Sequence, residues 1–255
     1  MKITILGSGT CVPRLSRSAC AVLVETGRSK LLLDLGPGTL HRLLQCKVSI
    51  FDLTHIFISH FHPDHTAELV SLLFATKYPD STSRHQPLRL LGGKGLKQLY
   101  KGLQNAYGDW IVLPDGLLAL QEIDTLTGEK LVFDDFELIA RPVDHRPESL
   151  AVRINAADGS SMAYSGDTDM CHALSDVAHQ VDLFICESAM PDEMKVPGHM
   201  TPALAGLAAA QAQARQLVLT HLYPPCDQVD IAKQAAAKYK GPVIVAEDLM
   251  VFELP

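Results

Sequence analysis

No stretch of this 255-residue sequence approaches the roughly 18 uninterrupted apolar residues of a membrane-spanning helix. Its 6 cysteines, Cys11, Cys20, Cys46, Cys171, Cys186 and Cys226, include no CxxC pair, which argues against a zinc knuckle or a dense disulfide framework. Reduced thiols are the expectation; Cys171 and Cys226 lie a few positions past candidate ligands, but small buried packing residues are the ordinary reading. No Pro-, Gly- or Ser-rich linker divides the chain, and at 47% hydrophobic it can bury one large core, so residues 1–255 read as a single domain. Met1 leads at once into the strand-like Lys2-Ile3-Thr4-Ile5-Leu6 rather than into a signal peptide, and a cytoplasmic location without membrane partners is expected. Basic charge is also short: 22 Lys and Arg against 29 Asp and Glu give a net charge of −7, so long nucleic acid is not an expected partner. The notable basic cluster, Arg84, Arg89, Lys94, Lys97 and Lys101, reads as the solvated face of a helix beginning near Gly93. The single tryptophan, Trp110, falls in a connection from Asn105 to Leu118, which reads as a plain link, a substrate lid or a dimer contact.

What the sequence does have is a concentration of histidine. The run His60-Phe61-His62-Pro63-Asp64-His65 places three imidazoles and a carboxylate in six residues, directly after the apolar stretch Thr54-His55-Ile56-Phe57-Ile58-Ser59. A loop leaving a buried strand has few structural uses for four such side chains, whereas neutral imidazole and carboxylate are the ligands of zinc and similar ions. A turn of this length can aim His60 and His62 one way and Asp64 and His65 another, which is room for two metals. Each needs further ligands at the ends of later strands. His145, Asp167 and His221 each follow an apolar-rich run, at Phe136–Val143, Ser161–Gly166 and Gln216–Thr220. A lone histidine at a strand end is more often an ordinary polar residue; three such positions beside an intact HxHxDH run read as ligands.

Strand-like runs at 2–6, 20–24, 30–34 and 54–58 precede a helix from about Asp64 to Lys77, where Leu69, Leu72, Leu73 and Thr76 share a face. A strand near 88–91, a helix from Gly93 to about Tyr107, strands near 131–140, 150–155 and 161–164, and helices near 201–213 and 228–239 complete an α/β layered pattern. Gly7-Ser8-Gly9 and Gly36-Pro37-Gly38 lack a dinucleotide fingerprint and read as tight turns against the metal floor. Asp34 ends a strand beside the loop and reads as a supporting carboxylate, not a ligand.

With these residues in view, the chain resembles the metallo-β-lactamase superfamily, in its ribonuclease Z and phosphodiesterase branch. The resemblance runs from Met1–Thr10 through Leu31–Gly38, the HxHxDH run, His145, Ser165-Gly166-Asp167-Thr168 and Thr220-His221. It implies a four-layer αββα sandwich and two divalent ions, with zinc expected and manganese or iron sharing the same ligand types. The first ion would be held by His60, His62 and His145, the second by Asp64, His65 and His221, with Asp167 bridging. The family also implies that Glu187 and His199 form a pair assisting the leaving group, and that the chain forms a homodimer.

One departure from the family stands out. Ribonuclease Z proteins carry a tRNA-gripping arm between the positions of His145 and Asp167, and here only a strand, a turn and a second strand fit between them. The expected activity is therefore a dinuclear metal-dependent phosphodiesterase acting through a metal-bridging hydroxide, with Asp64 accepting the water proton and His199 protonating the leaving oxygen. Its expected substrate is a small molecule or short oligonucleotide: a cyclic nucleotide, a cyclic phosphate or a short RNA end. The alternatives are thioester, lactone or sulfate ester hydrolysis, tRNA 3′ processing without the arm, or a metal-binding sensor without turnover.

Overall fold

A computed structural model describes residues 1–77 and 84–255. Fourteen strands form two seven-stranded sheets among these residues. The first sheet contains β1 (Lys2–Gly7), β2 (Ala21–Glu25), β3 (Lys30–Leu33), β4 (His55–Ile58), β5 (Leu88–Gly93) and β6 (Leu118–Ile123), with β14 (Val251–Glu253) beside β1. The second runs from β7 (Glu129–Val132) through β8 (Phe136–Pro142), β9 (Leu150–Ala156), β10 (Ser161–Tyr164), β11 (Leu183–Glu187) and β12 (Leu217–Thr220) to β13 (Val243–Val245).

Alternating apolar side chains explain the layering, because a strand directs successive residues to opposite faces. Ile3, Ile5, Val22, Val24, Leu31, Leu33 and Phe57 of the first sheet meet Leu138, Val152, Ile154, Tyr164 and Ile185 of the second in one core. The opposite faces are covered by helices. α1 (Thr39–Gln45), α3 (Leu69–Lys77) and α4 (Leu96–Tyr107) pack on Leu23, Leu32, Ile56 and Leu90, while α5 (His172–Val177), α6 (Pro202–Ala212) and α7 (Ile231–Ala236) pack on Ala163, Phe184 and Leu219. The result is the expected αββα sandwich.

Several element boundaries differ from the sequence reading. The strand anticipated over 131–140 is a hairpin, turning at Phe133–Asp135 between β7 and β8. The helix anticipated from 64 to 77 is two helices, α2 (Pro63–Thr66) and α3, because Glu68 turns aside to cap α1, accepting the Gly38 and Leu40 N–H groups at 2.7 Å each. The strand β6 and the helices α1 and α5 went unread, being short or lacking clear periodicity. The basic cluster is not one solvated face. Arg84 is buried and donates to the carbonyls of Leu53 and Ile50, and Arg89 is exposed but lies on β5 with its guanidinium 5.9 Å from the Phe133 ring, so of the anticipated helix face only Lys94, Lys97 and Lys101 remain, all exposed. In the 105–118 connection, Trp110 is exposed and edge-on to Phe74 at 6.1 Å, lining a groove of about 390 Å³ with Val70, Tyr107 and Ile111.

The site is positioned by strand direction. β3, β4, β5 and β6 are mutually parallel, as are β10, β11, β12 and β13, so their carboxyl ends gather along one edge of each sheet. Asp34, His60, Asp167, Glu187 and His221 all stand at or just beyond such ends, where open α/β sheets place their sites.

Candidate metal centre

Two glycines let the loops converge. A Cβ on Gly166 would stand 2.7 Å from Ser59 Cβ, and its φ of +57° is left-handed, so only glycine lets the turn after β10 press on the HxHxDH loop. A Cβ on Gly36 would lie 2.0 Å from the Asp64 carbonyl oxygen, which fixes the approach of the turn after β3. Between them sits Asp34, fully buried at φ +58°. Its carboxylate accepts the Ser59 N–H, the Ser59 hydroxyl, the Tyr164 hydroxyl and His65 Nδ1–H, each at 2.7 Å. Four donors compensate its burial, and its charge orients the loop as the sequence reading anticipated.

These contacts assign the imidazole protons. Ser59 Oγ gives its proton to Asp34, so at 3.1 Å it accepts from His60 Nδ1–H, and the His60 Nε2 lone pair faces inward. His145 Nδ1–H donates to the Gly198 carbonyl at 2.8 Å, turning its own Nε2 inward. Both lone pairs converge on His62 Nδ1, at 3.0 and 3.2 Å, and that atom carries at most one proton. Donor atoms of His60, His62, His145 and Asp167 all lie within 4.8 Å of one another.

The second group is linked pairwise. His221 Nε2 lies 3.6 Å from Asp64 Oδ2 and 3.4 Å from Asp167 Oδ2, and His65 Nε2 lies 3.2 Å from Asp167 Oδ1. Buried, His65 Nε2, His221 Nε2 and Asp167 Oδ1 have no hydrogen-bond partner among the described residues. Orphaned nitrogen and oxygen atoms aimed at one another at these distances are what a divalent cation satisfies, so the donor set fits metal. All seven sequence-derived ligand candidates are thus brought together. Cys20 was missed: its Sγ lies within 4.8 Å of donor atoms of both His65 and His221. Nothing in the sequence around an isolated cysteine on the way into β2 signals that. Cys226 is instead buried against the carbonyls of Ser188 and Ala189, and Cys171 lies 3.8 Å from the Thr168 hydroxyl.

Electrostatics divides the ligands. Burial, reinforced by His65, holds the pKa of His60 down to about 2, and burial also lowers that of His145, keeping both in the neutral form that ligates metals. Burial would raise Asp64, but His221 and His65 outweigh it and bring it to about 2. Burial likewise opposes ionisation of Asp167, and His221, His65 and His60 overcome it to hold the carboxyl well below its usual range. His65 runs the other way: burial lowers it, but Asp167 and Asp34 on either side raise it well above an ordinary histidine. A proton or a cation between His65 and Asp167 answers the same need, so metal binding there competes with protonation.

Beside this cluster, His199 Nδ1 is 3.0 Å from Glu187 Oε1 and 3.9 Å from Asp167 Oδ2. Glu187, buried at the end of β11, also accepts the N–H groups of Thr168 and Ala189. Burial lowers the His199 pKa, yet the bond to Glu187 prevails and raises it. Burial raises that of Glu187, opposed by the His199 contact. The His199 ring stacks on His221 with centroids 5.5 Å apart. Between His145 and Asp167 the chain forms only β9, a turn and β10, and no arm projects.

A family model described as a β-lactamase superfamily domain matches residues 29–222. An uncharacterized protein of Mycobacterium tuberculosis is 31% identical over 247 residues, covering 95% of this chain and 88% of the relative. A ribonuclease Z of Methanosarcina acetivorans is 28% identical, covering 100% of this chain and 98% of that protein. Among solved structures, the metallo-β-lactamase fold protein YhfI of Bacillus subtilis superposes with a TM-score of 0.84 at 23% identity, over 99% of this chain and 98% of its own, a likeness of fold. The chain therefore belongs to the β-lactamase superfamily, has ribonuclease Z proteins among its relatives, and is a metal-dependent hydrolase.

Proposed function

We propose that this protein hydrolyses compact phosphodiesters, such as a cyclic nucleotide, a cyclic phosphate or a short RNA end, at a centre holding two divalent ions, with zinc the best match to the donor set. His60, His62 and His145 would hold the first ion, Asp64, His65 and His221 the second, and Asp167 both. When bound, such a pair of ions supplies Lewis acidity and an activated water at neutral pH. Asp64 and Asp167 would supply the negative charge that holds the cations, and Asp64 would accept the proton of the attacking water. With the His199 Nδ1 proton committed to Glu187, Nε2 is the atom that would donate to a departing alkoxide, and the raised pKa of the ring favours its keeping that second proton.

The observation that carries this reading is the His199–Glu187 pair beside the seven ligands. A binding protein needs no acid there, and alkoxide departure from phosphorus needs one. The armless connection from His145 to Asp167 and the net charge of −7 favour a small substrate over long nucleic acid. The test is turnover of a chromogenic phosphodiester by purified protein, with and without added zinc or manganese, beside a thioester, a lactone and a sulfate ester. Metal-dependent phosphodiester hydrolysis well above the other three is the expected result. Preference for one of the others reassigns the substrate, and no turnover of any would favour a metal-binding sensor.

A further inference from the structure

The loop that carries His199 is fastened by a residue outside the ligand set. Asp169 Oδ2 accepts the Gly198 N–H at 3.0 Å and Lys195 Nζ at 2.7 Å, while Oδ1 accepts the Met170 N–H at 2.8 Å. Its backbone N–H donates at 2.7 Å to the carbonyl of Asp144, the residue before His145. Gly198 has a left-handed φ of +81°, and its carbonyl is the acceptor that fixes His145. A Cβ at Gly198 would stand 3.3 Å from His145 Nδ1, so a side chain there would crowd the imidazole. The next residue is His199.

One carboxylate thus grips one glycine from which two functional groups are set. On one side the Gly198 carbonyl holds the tautomer and direction of His145; on the other the chain enters His199 and its bond to Glu187. An isolated Lys–Asp pair whose side chains are 32% and 26% exposed would contribute little by itself. The bond to the backbone of Gly198 is what ties the pair to the centre. We propose that Asp169 is a positioning residue that couples first-site metal binding by His145 to the proton donor His199, with Lys195 holding Asp169 in place. Its catalytic half rests on the phosphodiesterase reading, and its metal half does not.

The experiment compares unmodified protein with Asp169→Ala and Lys195→Met in two measurements. Stepwise zinc affinity is read by chelator competition, with the first-site step assigned from a His60→Ala variant, and turnover is read across phosphodiesters of rising leaving-group pKa. Asp169→Ala should weaken the first site severalfold, less than the roughly tenfold for losing a direct partner of a ligand because the Gly198 carbonyl remains, and leave the second unchanged. Its turnover defect should grow with leaving-group pKa. Lys195→Met keeps the Gly198 bond and should show the same pattern with smaller amplitude, which decides the matter if the alanine variant fails to fold. Unchanged affinities, equal weakening of both sites, or a defect independent of leaving group would overturn the proposal. If the unmodified protein hydrolyses no phosphodiester, the functional reading falls, while the site-selective affinity still decides whether Asp169 acts on His145.

Discussion

His60 and His145, in the first half of the centre, are steered by neutral groups, the Ser59 hydroxyl and the Gly198 carbonyl, whereas His65 in the second half is steered by the carboxylate of Asp34. An imidazole backed by a carboxylate is the more basic ligand, and one backed by a carbonyl the less basic. The pKa directions follow the same line, with His60 and His145 lowered and His65 raised. If the centre holds two ions as proposed, the two halves would differ in how firmly they hold a cation and how strongly protons compete for it, and by ligand basicity the first half would release its ion more readily than the second.

The largest effect should come from the residue common to both halves. Asp167→Ala is expected to reduce bound metal below two ions and nearly abolish turnover; two tightly held metals with normal activity would contradict the shared role. Next come the variants that separate the halves. His60→Ala should mainly empty the first site and His65→Ala the second, measured as metal per chain after dialysis against a weak chelator, and equal loss from both sites in both variants would break the comparison.

Smaller still is the effect of removing the acid beside the metals. His199→Ala should keep its metals and fold but lose roughly a hundredfold in turnover of substrates with poor alkoxide leaving groups, the usual scale for general acid catalysis. A p-nitrophenyl phosphodiester should suffer less, since its leaving group barely needs a proton. The pH dependence has a definite sign: the His199 pKa is raised, so assistance is present below that pKa and lost as pH rises through it. A uniform defect across the series would reduce His199 to a structural residue.

Away from the centre, the effect should be on stability alone. Asp135, in the β7–β8 hairpin, accepts the Thr26 and Ser29 hydroxyls and the Arg28 and Ser29 N–H groups, tying the second sheet to the β2–β3 turn of the first. Burial opposes its ionisation, but these bonds hold its pKa down to about 2. A depressed carboxyl pKa contributes stability that is complete above the ordinary carboxylate range and is lost as pH falls through about 2. Asp135→Ala should cost about 1 to 2 kcal/mol at neutral pH by chemical denaturation, with the difference fading in acid and metal content unchanged. A loss of metal from this variant would show that the two ends of the sandwich are not independent.

Much of this centre was legible because its ligands stand at strand ends, where apolar runs announce them: His60 after β4, Asp167 after β10, His221 after β12. The division into two halves was not, since HxHxDH spacing alone leaves open which imidazole faces which cation; only the family pattern supplied it. Asp34 was readable as support from its place after β3. Asp169 and Gly198 were not, because their contribution passes through a backbone N–H and carbonyl that no residue type signals. Arg84 was misread for a related reason: a charged residue near a helix looks solvated until its burial against the Leu53 and Ile50 carbonyls is seen.

The central claim is that two ions, held by these two unlike halves, act together on a phosphodiester. Titrating zinc into chelator-stripped protein while following hydrolysis of a chromogenic phosphodiester tests it most directly. The account predicts little activity at one equivalent, where the firmer second half fills first, and a steep rise to a plateau at two. Full activity at one equivalent, or hydrolysis indifferent to added metal, would contradict it.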